Sequence, residues 1–163
     1  MVNKEMIGYA ILIGLILAGM AYFMLKGDTK TLQQKIMQTE QTVSSVRDMA
    51  TTYAGLSVHK DFTGISMANM KAKQLFQYDV NGTGASSTIA MPFDDTILMS
   101  VAPTPNNKGY IVTISLSANS DLDAVSKQTF EDKINADFKS STVNITGYTS
   151  GGADGTISLQ FAN

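Results

Sequence analysis

Cysteine is absent from this 163-residue chain. Disulfides, thiol catalysis and cysteine-based metal sites are thereby excluded, and the redox compartment is left unassigned. No block of Lys or Arg occurs and the formal net charge is −2, so there is no electrostatic footprint for nucleic acid. Neither a nucleophile elbow nor a phosphate loop is found, and no repeat recurs at a solenoid period. The reading therefore expects no enzymatic activity, no catalytic residue, no cofactor and no bound metal. One local absence is more telling than these: from Met6 to Leu25 there is no Asp, Glu, Lys, Arg, His, Pro, Asn or Gln.

An uncharged run of about 20 residues is what one helix needs to cross a bilayer. A cleavable secretory signal has a shorter apolar core, about 7–15 residues, followed by small residues at a cleavage site; here Met24, Leu25 and Lys26 follow. Lys4 precedes the run while Lys26 and Lys30 follow it, so flanking charge does not set its orientation. After the break Lys26-Gly27-Asp28, apolar residues resume at Leu32, Ile36, Val43, Val46, Ala50 and Tyr53, with Thr39 in the one gap. Steps of four and three make a helical seam. Taken as one element from about residue 2 to about residue 54, the helix would be roughly 80 Å long. A domain of this size cannot bury a helix of that length alone, so half of it must project into lipid or into other copies. Ala54-Gly55 supplies its expected stop.

The remaining residues, 55–163, suffice for one small globular domain. Ser66–Tyr78 reads as a short helix, and Asn81-Gly82-Thr83-Gly84 breaks the chain. Thr96–Val101 and Tyr110–Leu116 are alternating strands joined by a turn-rich loop, a hairpin. Leu122, Val125, Phe130, Ile134 and Phe138 mark an amphipathic helix ending near Lys139, capped by Ser120 or Asp121. Thr142–Tyr148 and Thr156–Phe161 form a second hairpin around the glycine-rich turn Ser150–Gly155. The expected class is α+β: a long N-terminal helix, residues 1–54, packed on a globular domain, 55–163, with an antiparallel four-stranded sheet. Residues 1–25 would be the membrane or filament-core part of the helix and 26–54 its amphipathic part.

Among candidate residues, Glu5 stands first, because a carboxylate beside a lipid-facing run is expensive unless paired. Its best partner is a free α-amino group, cationic at neutral pH, from the start of another chain. Ala10, Gly14 and Ala18 recur every four residues and permit close helix–helix approach, which implies self-association. Gly14 and Gly19 also weaken the helix locally. His59 is the single histidine and carries no assigned role. Asp121 and Asp123 have an alternate spacing seen in calcium loops, but the glycine and distal glutamate of such a loop are missing, and helix capping explains them better. Asp94-Asp95 reads as a solvated acidic pair in a loop. Asn81-Gly82-Thr83 and Asn144-Ile145-Thr146 fit the glycosylation triplet, the second inside an expected strand.

A chain that starts Met1-Val2-Asn3-Lys4-Glu5-Met6, stays apolar through Leu25, becomes amphipathic to about Tyr53 and ends in an α/β domain resembles a type IV pilin. The hydrophobic, non-aromatic first residue and the size look more like the type IVb branch, which includes pilins of enteric bacteria and conjugative plasmids. The specific part of the resemblance covers residues 1–25. It implies a sequence already processed by a prepilin peptidase, methylation of the Met1 amine, and Glu5 neutralising the Met1 amine of a neighbouring subunit. It further implies a subunit held in the bacterial inner membrane and then assembled by pilus machinery into an extracellular homopolymer, a fimbrium for adhesion or conjugation. The cysteine pair that usually closes the C-terminal region of type IV pilins is missing here, so that region must be held by packing alone. Two alternatives share parts of this pattern: a minor pilin or secretion-system pseudopilin, and a single-pass membrane protein with a periplasmic sensor or binding domain.

Overall fold

The computed structural model describes residues 31–92, 94–118, 122–140, 145–150 and 155–162. The chain divides into two units, Met1–Gln34 and Lys35–Asn163. The apolar run Met6–Leu25 lies outside the described residues. No helix among the described residues is long and apolar enough to cross a membrane.

The helical seam forms as its spacing predicts. Helix α1 covers residues 31–56, and Ile36, Thr39, Val43, Val46, Ala50 and Tyr53 are all buried, while Leu32, expected to open the seam, is half-buried. Thr39 can stand in an apolar seam because its hydroxyl donates to the Lys35 carbonyl at 2.8 Å, one turn back, which leaves its methyl free to pack. Gly55 falls inside the last turn, and the left-handed residue near this end is Lys60, φ 51°. Helix α2, Met67–Ala72, is shorter than expected. Ser66 caps its start by accepting from the Asn69 N–H at 3.1 Å, but Gln74 turns left-handed at φ 58° and ends the run well before Tyr78.

The sheet has six strands, in place of the four expected. They are β1, Val80–Asn81; β2, Thr88–Met91; β3, Asp94–Pro103; β4, Gly109–Ser115; β5, Ile145–Ser150; and β6, Thr156–Ala162, in the order β1-β2-β3-β4-β6-β5. All pairings are antiparallel. The two expected hairpins, β3–β4 and β5–β6, are both present, and β6 pairs with β4 to join them. The two additional strands lie beyond β3. They are too short, at two and four residues, for alternation to distinguish them from loop; pairing to β3 is what makes them strands.

Register places the core on one face. Ile89 opposes Met99, Met99 opposes Ile114, and Ile114 opposes Ile157, so a row of fully buried side chains crosses four strands. A parallel row runs Val101, Val112, Leu159. The intervening residues are half-buried, the alternation expected of a sheet covered by helices on one side. Helix α3, Ala124–Ser140, links β4 to β5 and buries Phe130, Ile134 and Phe138. Val125, expected on that apolar face, is instead exposed. At about 100° per residue it stands roughly 140° around the helix from Phe130. Phe138 meets Phe161 edge-on at 6.3 Å, and Arg47 of α1 lies over the same ring at 5.2 Å. Both helices therefore reach the β6 end of the sheet.

Candidate functional site

The sequence-derived assembly residues, Met1, Glu5, Ala10, Gly14 and Ala18, lie outside the described residues. So do Asp121 and Asn144. Asp123 caps α3: its carboxylate accepts from the Ser126 N–H at 2.7 Å, and this bond holds its pKa below the usual range. The cap thus falls two residues after Asp121. His59 is exposed, as are Asn81, Gly82 and Thr83. Asp94 corrects an expectation: it opens β3 and is not a solvated loop acid. Its Oδ2 accepts from the Lys35 ammonium at 2.7 Å, with both side chains largely covered. Burial raises its pKa, but Lys35 and the hydroxyl and N–H of Thr96 outweigh burial and hold it at about 2.

Glu40 and Arg47 of α1 are also engaged by their own unit. Glu40 has a buried Oε1 with no hydrogen-bond partner. Burial first, then the hydrogen bond and charge of Asp137, raise its pKa to about 7 against the opposing pull of Lys133. Asp137 moves the other way, held low by Glu40 and by Lys133, whose ammonium lies 3.2 Å away. The two carboxyls shift in opposite directions, so Glu40 holds its proton more tightly than Asp137 does. Arg47 lies over Phe161 and hydrogen-bonds Tyr110, whose hydroxyl is pushed by burial to about 12 despite Arg47. Of the exposed α1 positions from Met37 to Leu56, only Asp48 carries charge.

Two features stand at the ends of this helix face, whose single exposed charge is Asp48. Near its start, a cleft of about 390 Å³ is lined by Gln38, Gln41, Thr42, Ser45, Tyr78 and Pro92. Past its end, residues 57–63 form a knuckle tied down from several sides. The Ser57 N–H donates to the Ala54 carbonyl and the Lys60 N–H to the Ser57 carbonyl, each at 3.1 Å. The Asp61 carboxylate accepts from the Ser57 hydroxyl at 3.2 Å, the Thr63 N–H at 3.2 Å and the Thr63 hydroxyl at 2.9 Å. The Tyr53 hydroxyl donates to the Thr63 carbonyl, and the Phe62 N–H to the Asn107 carbonyl of the β3–β4 loop. This framework displays Leu56, 57% exposed, and Val58, 93% exposed. This stretch has no hydrophobic periodicity, and its sequence signal is Val58 between the polar Ser57 and His59.

Among the described residues no group of three or more His, Asp or Glu side chains could hold a metal ion. The described residues offer a surface: a helix face with little charge, a cleft and an apolar knuckle. No family of known proteins matches this chain, and no characterised protein or solved structure matches it either.

Proposed function

We propose that this chain is the structural subunit of a type IV pilus of the type IVb kind, a homopolymer used in adhesion or conjugation. Its apolar segment Met6–Leu25 anchors the subunit in the inner membrane before assembly and lines the filament core afterwards. One observation carries the reading. Lys35–Asn163 is a compact unit whose buried residues, among those described, begin at Ile36. Its described residues make a two-layer core, α1 and α3 on the sheet. An uncharged segment of about 20 residues, assigned to the other unit, requires an apolar environment. Lipid supplies one, and the same segment of neighbouring subunits supplies the other.

In this reading Glu5 pairs with the Met1 amine of the next subunit, since a cationic terminus inside an apolar core needs a counter-charge. Ala10, Gly14 and Ala18 let the helices approach. Prepilin peptidase and the assembly machinery act before and during extraction. The test is electron microscopy of material sheared from expressing cells, with mass spectrometry of its N-terminus. Filaments built of this chain with a methylated Met1 are expected. Cells that hold the chain in the membrane at normal levels yet shed no filaments would instead point to a membrane-anchored binding domain.

A further inference from the structure

We propose that the knuckle at Leu56 and Val58 of one subunit docks in the α1 cleft of a second copy of this chain, joining globular units head to tail. The inference rests on the filament reading above and adds to it a contact between the folded units. Four observations carry it.

The knuckle is rigid and apolar at its tip. Its backbone is fixed by the bonds through Ser57, Asp61 and Asn107, and by a left-handed Lys60 that only a well-determined loop retains. A fixed loop loses little conformational freedom on docking. Val58 at 93% exposure has no packing role within its own unit.

The helix face between cleft and knuckle is depleted of charge. Lys35 is occupied by Asp94, Glu40 by Asp137, and Arg47 by Phe161, which leaves Asp48 as the one charge among the exposed positions from Met37 to Leu56. Lys, Glu and Asp are under-represented at the cores of protein interfaces because desolvating them is costly.

Geometry then decides who meets whom. Gln41 and Leu56 are 15 positions apart on α1, about 22 Å along its axis, so knuckle and cleft cannot meet within one molecule. Pairing them between copies uses two different patches of each subunit, an open heterologous contact that propagates.

Charge favours the same pairing. Lys60 and Lys108 border the knuckle side, where they line one cleft together with His59. Asp79 follows Tyr78 at the α1 cleft, fully exposed and held only by an exposed Lys71 at 3.4 Å. A membrane surface would take up the apolar tip and the lysines but leave the cleft and Asp79 unused; a second copy engages all four, and is the occupant this pairing selects.

The absence of cysteine makes the test clean, because introduced thiols are the only ones present. Filaments are first confirmed by microscopy for the unaltered chain, then for Val58→Cys, Gln41→Cys and the double variant, and each is oxidised and run without reductant. The double variant is expected to give a ladder of covalent multimers, while each single variant gives nothing beyond a dimer. Val58→Glu in the full chain is expected to keep its melting temperature and lose at least tenfold in filament yield. Filaments without a ladder, or Val58→Glu assembling normally, would overturn this contact and leave the filament reading intact. Failure of the unaltered chain to form filaments would remove both.

Discussion

Val46 shows what one position on α1 must satisfy. It is 1% exposed in the seam between the helix and the sheet, so Val46→Asp places an unpaired carboxylate where water cannot reach it. The expected cost is several kcal/mol, read as loss of the cooperative thermal transition of the full chain in detergent. An unchanged melting temperature would mean that this face is not the core. Glu40 is the opposite case, an acid that the fold keeps protonated. Its folded pKa of about 7 lies above the ordinary carboxylate value. Its contribution to stability is therefore fully present below the unfolded pKa and is lost as pH rises through about 7. Asp94, held at about 2, acts in reverse: its contribution is present above the ordinary value and is lost as pH falls toward 2. Together they place the stability maximum at mildly acid pH. Glu40→Gln keeps a donor for Asp137 but cannot ionise. It should leave the melting temperature at pH 5 nearly unchanged and raise stability at pH 8 by about 1 kcal/mol, allowing for screening of a partly exposed pair. A loss at both pH values would show that the carboxyl proton is not what the site requires.

At the scale of elements, the β4–β6 pairing holds the two hairpins together, and it depends on Gly109. A Cβ built there would collide with the Phe161 carbonyl oxygen, on the neighbouring strand where Gly109 opposes Ala162. Gly109→Ala should therefore cost about 1–3 kcal/mol or more through forced separation of the strands. Calorimetry of the full chain would register it as a lower melting temperature; no change would imply that the strands can part freely. The elements readable from sequence are those in which a period persists. The α1 seam repeats over several turns, and β3, β4 and β6 alternate for seven residues or more. The β1 and β2 strands were not readable because their pairing partner, and not their own pattern, defines them. The acid pair was equally hidden. Glu40 and Asp137 are distant in sequence, and only the packing of α3 beside α1 brings them together. Asp94 looked like half of a solvated pair because nothing in the sequence connects it to Lys35, 59 positions away.

For the whole molecule, the account is a division of labour between two parts of one chain. Lys35–Asn163 contains the sheet and presents a helix face with little charge, a knuckle and a cleft. Met6–Leu25 is an uncharged run of about 20 residues, the length of one membrane-crossing helix, with Glu5 at its edge. The central claim is that this segment polymerises the protein through a charge pair between Glu5 and the Met1 amine of the next subunit. Its most direct measurement is a count of surface filaments from cells expressing the unaltered chain, Glu5→Ala and Glu5→Gln at matched membrane levels. The account predicts abundant filaments for the unaltered chain and a sharp fall for both variants, with membrane insertion unaffected. Normal filament yield from both variants would contradict it.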